Sequence, residues 1–247
     1  MLTVMALAFW LIPSAPVQSQ SPAQSPQVAA AVLPSLAPGV YNLRLEREDG
    51  PTIRYAISIP RNYAAGARVP LVLVLHFGGD PVGAGWSLLD MVVRPMLAEL
   101  GAIIIAPDSL GGNWSVPQNE RAAMALLDAA QRSYSVDPKK VVVTGFSMGG
   151  AGTWHLAETY PERFSAAIPM AGRPSGTAAT WRVPVFAVHS RDDEVAPIGP
   201  TEQRIQELKA LGKNAEIVVS TGIAHHDTVI YGRALRNAVP WLKELWK

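Results

Sequence analysis

Ser147 stands at the centre of Gly145-Phe-Ser-Met-Gly149, a G-x-S-x-G spacing. A serine hydroxyl is a poor nucleophile until it is exposed and a base takes its proton. The flanks supply the exposure. Lys140-Val-Val-Val-Thr144 is a β-branched run that reads as a buried strand. Gly150 to Tyr160 reads as a helix stopped near Pro161. Strand, sharp turn and helix form the context in which this short pattern carries a nucleophile. Gly145 and Gly149 keep Cβ atoms out of the turn. The helix directs its free N–H groups at the serine, which suits a developing oxyanion. Two other readings compete: a chance match among 20 glycines, or a phosphate loop. The phosphate reading is weak, because no Lys follows Gly149 and G-x-G-x-x-G is absent.

A serine of this kind needs a histidine base and an acid to orient it. On a strand–turn–helix scaffold they follow in the order Ser, acid, His. The strand Val183 to Val188 is followed by His189-Ser-Arg-Asp-Asp-Glu194. Asp192, Asp193 and Glu194 are all candidates, and a solvated acidic turn is the competing account. The strand Ala215 to Ser220 is followed by Gly222-Ile-Ala-His-His-Asp227. Of five histidines, His225 and His226 follow the acid at a strand end, and His225 is preferred from its spacing to Gly222. His155 falls within the helix after Ser147 and reads as a surface or satisfied core residue. Oxyanion donors are expected from the backbone N–H of Met148 and from the loop His76-Phe-Gly-Gly-Asp80. Gly78 is the choice there, with Phe77 as alternative. Phe77, Trp86, Trp114 and Ile223 lie near strand-end loops as candidates to contact substrate. Phe77 and Trp114 are the preferred pair. Each is more often simple packing.

These residues need a scaffold of alternating elements, and the chain has one. Tyr41 to Arg47 and Tyr55 to Ile59 alternate with period two and flank Glu48-Asp-Gly50, as a hairpin does. Buried strands are expected at 70–75, 102–106, 140–144, 166–171, 183–188 and 215–220, and helices at 86–100, 119–134, 150–160, 201–211 and 228–246. This order predicts an α/β fold: a mostly parallel sheet, helices on both faces and an antiparallel N-terminal edge hairpin. Ala171 and Val183 are too close to admit a lid domain between them, so the site is expected to be open.

Bulk properties narrow the classes. The 247 residues are 49% hydrophobic, enough for one domain with a large core. A net charge of +1, with basic residues scattered among acids, argues against nucleic acid. Zero cysteines exclude disulfides, thiolate metal sites and a Cys nucleophile. Leu2 to Ile12 is apolar but too short for a confident membrane span, and Pro13 to Pro38 is uncharged and rich in Pro, Ser, Gln and Ala. Residues 1–19 therefore read as a signal peptide, 20–38 as a disordered linker and 39–247 as the folded domain. The expected location is periplasmic or secreted. No Lys or Arg precedes the apolar run, and an uncleaved anchor competes.

Residues 136–157 (Val136-Asp-Pro-Lys-Lys-Val-Val-Val-Thr-Gly-Phe-Ser-Met-Gly-Gly-Ala-Gly-Thr-Trp-His-Leu-Ala) and Tyr160-Pro-Glu-Arg-Phe-Ser-Ala-Ala-Ile-Pro169 resemble the α/β-hydrolase serine esterases. The nearest branches are the phospholipase/carboxylesterase, feruloyl-esterase and polyhydroxybutyrate-depolymerase-like groups. The likeness runs from about Tyr41 to the C-terminus. The family's H-G-x-x-D-x-x-V-P segment matches His189, Asp193 and Pro197, with Ser190 for Gly and Ala196 for Val. That register selects Asp193. Gly222-Ile-Ala-His225 approximates the family's G-x-G-H, and His76-Phe77 stands where H-G is usual. The resemblance implies a metal-free, cofactor-free carboxylic-ester hydrolase with Ser147, His225 and Asp193 as its triad, acting on a small-molecule or polymer-attached ester. A serine peptidase of the same fold and a catalytically silent binding domain are the competing functions. Oligomeric state is not legible.

Overall fold

The computed structural model describes residues 31–48, 50–64 and 66–247. The expected signal peptide over 1–19, residues 20–30 of the expected linker and Asp49 of the expected hairpin turn lie outside the described residues. Among the described residues, eight strands form one sheet: β1 (Gly39–Leu45), β2 (Ile53–Ile59), β3 (Val69–Leu75), β4 (Ile103–Pro107), β5 (Val136–Phe146), β6 (Ala166–Met170), β7 (Val185–Ser190) and β8 (Ala215–Ser220). Their spatial order is β1-β2-β4-β3-β5-β6-β7-β8. β1 pairs antiparallel with β2, and β2 antiparallel with β4. All other pairings are parallel. The C-terminal edges of β3 to β8 thus lie on one side, where a doubly wound sheet presents its loops.

The central strands are apolar throughout because both faces are covered. Side chains still alternate. Leu71, Leu73, Leu75, Ile103, Ile105, Val141 and Val143 face one layer, made by α3 (Pro117–Ser133), α4 (Met148–Thr159) and α5 (Gly199–Ala210). Val72, Val74, Ile104, Ala106 and Val142 face the other layer. That layer contains α1 (Ala84–Leu88), α2 (Arg94–Met96), α6 (Thr228–Arg233) and α7 (Ala238–Leu245).

Two helices expected to be continuous are broken, each near a proline. The segment 86–100 is α1, a π-helical turn at Leu89–Val93, α2, and a 3-10 turn at Ala98–Leu100. Pro95 has no N–H to donate and its ring crowds the carbonyl four residues back, so the preceding turn opens. The segment 228–246 is likewise α6, a 3-10 turn at Ala234–Asn237, and α7, with Pro240 near the start of α7.

The folded body starts before Gly39. Leu33 is 4% exposed, and its N–H donates to Ser133 Oγ at 2.7 Å. Tyr134 OH donates to Pro34 O, and the Arg132 guanidinium to Ala31 O. Residues 31–38, grouped with the linker by composition, are therefore tied to α3. Residues 171–184 join β6 to β7 without an inserted domain. Trp181 in this link packs on Trp154 with ring centroids 4.9 Å apart, and the Lys213 ammonium donates to the carbonyls of Ala178, Ala179 and Trp181.

The tightest backbone approach lies between β3, β5 and α4. A methyl on Gly149 would run into the carbonyl oxygen of Leu75, and one on Gly145 into the carbonyl of Gly149. Both obstacles are backbone and cannot swing away. Gly149→Ala is expected to cost on the order of 4 kcal/mol or more, or to prevent folding. Gly199→Ala, where a methyl meets open space, is expected to stay within about 0.5 kcal/mol of the parent. Urea denaturation of the two variants checks the contrast.

Candidate active site

Ser147 follows β5 directly and precedes α4. Its backbone sits at φ 56 and ψ −113, outside the regions an L-residue prefers. Such a conformation costs on the order of 1–3 kcal/mol and persists only where its surroundings enforce it. Here the enforcement is visible. Ser147 N donates to Met170 O of β6 at 2.9 Å, and Ser147 O accepts from Ala151 N at 2.9 Å. The turn lifts the serine side chain off the sheet, half-exposed.

The structure brings His225 and Asp193 to Ser147. His225 Nε2 lies 2.7 Å from Ser147 Oγ, and His225 Nδ1 lies 2.8 and 2.9 Å from the two Asp193 oxygens. A carboxylate only accepts, so Nδ1 carries the proton and Nε2 is free to accept from the serine hydroxyl. Phe146 supports the imidazole, its ring centroid 5.2 Å from that of His225. His225 is 3% and Asp193 5% exposed. Burial pushes the Asp193 carboxyl up, but hydrogen bonds from His225 and Ala196 N and the neighbouring imidazole outweigh it and hold it below the usual carboxylate range. Asp193 is therefore charged wherever an imidazole titrates.

The three adjacent acids divide the work of holding the histidine loop. Asp192 Oδ2 accepts from Gly222 N at 2.6 Å, Asp193 takes the imidazole, and Glu194 Oε2 accepts from His225 N at 3.1 Å. The Glu194 carboxyl is held down by its own backbone N–H and that of His225. Asp193 Oδ1 is further fixed by Ala196 N at 2.7 Å and Val195 N at 3.1 Å, and Tyr231 OH reaches Oδ2 at 3.1 Å. His226 lines the wall of a neighbouring pocket.

Met148 is the first residue of α4, and its N–H has no acceptor within the helix. Gly78 faces it: a Cβ built there would lie 4.0 Å from Met148 Cβ and Sδ. The 76–80 loop is set by a histidine that spacing alone left without a role. His76 is fully buried, its Nδ1–H donates to Phe77 O at 2.6 Å, and its Nε2 accepts from Ser109 N at 2.9 Å. Both nitrogens are used as a neutral ring requires. Burial holds His76 below its ordinary range, against the pull of the Phe77 carbonyl and Asp108. His189 behaves alike. It is 1% exposed, donates from Nε2 to Ala196 O at 2.7 Å, and is lowered by burial despite that carbonyl and Asp193.

Trp114 is a correction. It is 1% exposed, its indole N–H donates to His76 O at 2.9 Å, and it fills the space beside Gly152. It buttresses the loop from beneath and is out of a substrate's reach. Trp86 and Ile223 also pack against the core. Phe77 does line a pocket, of about 350 Å³, with Leu88, Met91, Val92, His226 and Ile230. Met91 and Ile230 are 52% and 44% exposed, leaving the pocket an apolar rim. His155, by contrast, is paired with Glu120 at 2.7 Å. Among the described residues no cluster of His, Cys, Asp or Glu could hold a metal, and no helix is long and apolar enough to cross a membrane.

Three roles lie outside the sequence expectations: His76 setting its own loop, Tyr231 reaching Asp193, and Glu194, a candidate acid by sequence, holding the backbone of His225. The histidine at a strand end is a usable signal. The roles of Tyr231 and Glu194 have none, because they depend on partners 38 and 31 residues away in the chain.

Residues 115–229 match the Dienelactone hydrolase family, a span that contains Ser147, Asp193 and His225. The chain is 28% identical over 172 residues to a protein named "Probable feruloyl esterase C" of Aspergillus terreus, covering 67% of this chain and 61% of that one. It is 31% identical over 126 residues to poly(3-hydroxyalkanoate) depolymerase C of Paucimonas lemoignei, covering 44% of this chain and 29% of that one. Among solved structures, a thermostable esterase superposes with a TM-score of 0.70 at 22% identity, covering 83% of this chain and 62% of that one. The chain thus spans about 61% of the length of the feruloyl esterase C relatives it matches.

The buried neutral histidines give a stability prediction. The folded state binds His76 and His189 protons less readily than the unfolded chain does, so unfolding takes up protons as pH falls. Stability conferred by these groups is complete above the unfolded imidazole value, about 6.5, and declines below it. Urea midpoints measured from pH 7.5 to 5 are expected to fall with acidification. His76→Gln is expected to flatten that fall while lowering stability at pH 7.5.

Proposed function

We propose that the chain is an α/β-hydrolase and a serine carboxylic-ester hydrolase working through an acyl-serine intermediate. The observation that carries this reading is the unbroken chain from Asp193 through His225 to Ser147, with Nε2 2.7 Å from Oγ. Ser147 Oγ attacks the ester carbonyl while His225 Nε2 takes its proton. The carbonyl oxygen becomes an oxyanion held by Met148 N–H and a second donor in the 77–78 loop, for which Gly78 is the choice. His225 then protonates the departing alkoxide, leaving the acyl group on Ser147. Water, deprotonated by His225, attacks the acyl-serine, and the acid departs as Ser147 regains its proton. Asp193 stays ionised and holds the imidazole tautomer.

The pocket between Phe77 and α6 is the candidate site for the apolar part of the substrate. The half-exposed serine and the absence of an inserted domain between β6 and β7 support access by esters attached to a polymer. The relatives named for feruloyl esters and for poly(3-hydroxyalkanoate) agree with that class. The apolar run Leu2 to Ile12, followed by the uncharged stretch to Pro38, supports export.

On p-nitrophenyl acetate, Ser147→Ala and His225→Ala are each expected to lose on the order of 10³-fold or more in kcat with the fold intact. His226→Ala and Asp192→Asn are expected to lose far less, and Asp193→Asn far more than Asp192→Asn. A working Ser147→Ala with unchanged circular dichroism, and no labelling by a serine-reactive phosphonate, would exclude the mechanism. kcat/KM is expected to rise with pH along a single-proton limb, because a protonated base cannot accept the serine proton. Asp193 adds no second step there, because its carboxyl is already ionised.

A panel of acyl chain lengths, with feruloyl and acetyl-xylan esters, tests the pocket. Ile230→Ala is expected to change the ranking of long or aryl acyl groups by about tenfold or more, since one missing methylene in an apolar pocket is worth about 1–3 kcal/mol. Acetyl ester turnover is expected to change little. An unaltered ranking places the acyl group elsewhere.

A further inference from the structure

Tyr231 is a fully buried titratable group that the proposed chemistry does not use. It lies on α6, fully buried, with its ring 5.2 Å from that of Phe146 and 6.4 Å from that of His189. Its hydroxyl has two partners. Ser190 N, at the end of β7, lies 2.5 Å away, and Asp193 Oδ2 lies 3.1 Å away. An amide N–H can only donate, so the phenol oxygen accepts from Ser190. The phenol proton then has the Asp193 carboxylate as its acceptor. Burial first, and the nearby Asp193 charge after it, push the phenol far above its ordinary range although the Ser190 N–H pulls the other way, so the proton is retained.

We infer that Tyr231 is a positioning residue that fixes the Asp193 carboxylate through a one-way hydrogen-bond chain, Ser190 N–H to Tyr231 O–H to Asp193 Oδ2. This rests on the esterase reading for its consequence in turnover. Oδ1 is held by two backbone N–H groups from its own turn. Oδ2 is held from outside that turn by His225 and Tyr231. Without the phenol the carboxylate can rotate about its Cβ–Cγ bond, carrying the imidazole with it. Oδ2 also loses a donor that shares its charge, so the carboxylate stabilises the imidazolium more strongly.

The same helix faces the substrate pocket. Val229 and Ile230 line its wall, and Gly232 lies against Val92 of the π-helical turn opposite. α6 therefore ties the pocket to the acid across one helical turn. The other titratable groups around this centre are His189 on β7, with Nε2 3.9 Å from Asp193 Oδ2, and His226 and Glu194 beside His225. Asp192 stands behind the loop on Gly222 N.

Tyr231→Phe keeps the ring and removes the hydroxyl. kcat on p-nitrophenyl acetate is expected to fall about tenfold, with KM nearly unchanged. The ascending limb of kcat/KM is expected to move to higher pH by roughly a few tenths of a unit, because a stronger pull on the imidazolium makes the base protonate earlier. 3-Fluorotyrosine incorporated at position 231 retains the fold and donates more strongly, and is expected to move the limb to lower pH. Leu235→Ala, a buried neighbour with no polar atom, is expected to lower stability without moving the limb. The downfield proton resonance of His225 Nδ1–H, read by NMR without substrate, is expected to shift in both Tyr231 variants. Limb and resonance unmoved in both overturn the inference, even if kcat falls. A moved resonance in a protein that hydrolyses no ester sustains the positioning role and refutes the esterase reading instead.

Discussion

The turn at Ser147 depends on backbone touching backbone. Gly149 lies against the Leu75 carbonyl and Gly145 against Gly149, so β3, β5 and α4 meet with no side chain between them. That contact sets the backbone of Ser147 at φ 56 and turns its side chain away from the sheet. The strain is local, and it is held by a core with two covered faces. Central strands with exposed faces could not enforce it, because nothing would prevent the turn from relaxing. The scaffold's apolar continuity and the reactivity of one hydroxyl are thus parts of a single arrangement.

Electrostatics around that serine are arranged so that the charges sit where they are used. Asp193 accepts hydrogen bonds at both oxygens and remains ionised despite burial. Its two acidic neighbours are spent on the backbone of the histidine loop, which explains why three carboxylates can stand together. The repulsion among them is offset by N–H donors that converge from the 222–225 segment and from the turn itself. The two fully buried histidines are handled in the opposite way. Each is kept neutral and used as a rigid hydrogen-bonding part, His76 for the oxyanion loop and His189 for the acid loop. Protonating either would put a charge where burial makes it costly, despite the nearby Asp108 and Asp193.

The elements broken at Pro95 and Pro240 are the ones that build the pocket. An unbroken helix over 86–100 would present a uniform stripe to the sheet. The π-helical turn instead places Met91 and Val92 side by side on the wall opposite α6. π-turns recur at functional sites because they redirect side chains without ending a helix. α6, a short helix of six residues, does two jobs because its consecutive residues face different ways: Val229 and Ile230 outward to the pocket, Tyr231 inward to Asp193.

How much of this was legible depends on the range of each interaction. The α/β fold, the strand positions and the turn at Ser147 follow from local pattern: β-branched runs, glycine spacing and helical periodicity. The ordered candidates Ser147, Asp193 and His225 followed from chain order and a spacing match, and the geometry brings those three together. Apolar periodicity continues on both sides of Pro95 and Pro240, so local pattern predicts unbroken helices there. Trp114 was assigned to substrate by its place in a loop, whereas its burial follows from the packing of Gly152 and the His76 carbonyl beneath it. A sequence lists neighbours along the chain, and so it determined the nucleophile turn and the layers that carry it. The choice among three adjacent acids by hydrogen bond, the tautomers of the buried histidines and the reach of Tyr231 to Asp193 were decided by tertiary structure alone. Each depends on a donor and an acceptor meeting within about 3 Å, and only folding brings such distant residues that close.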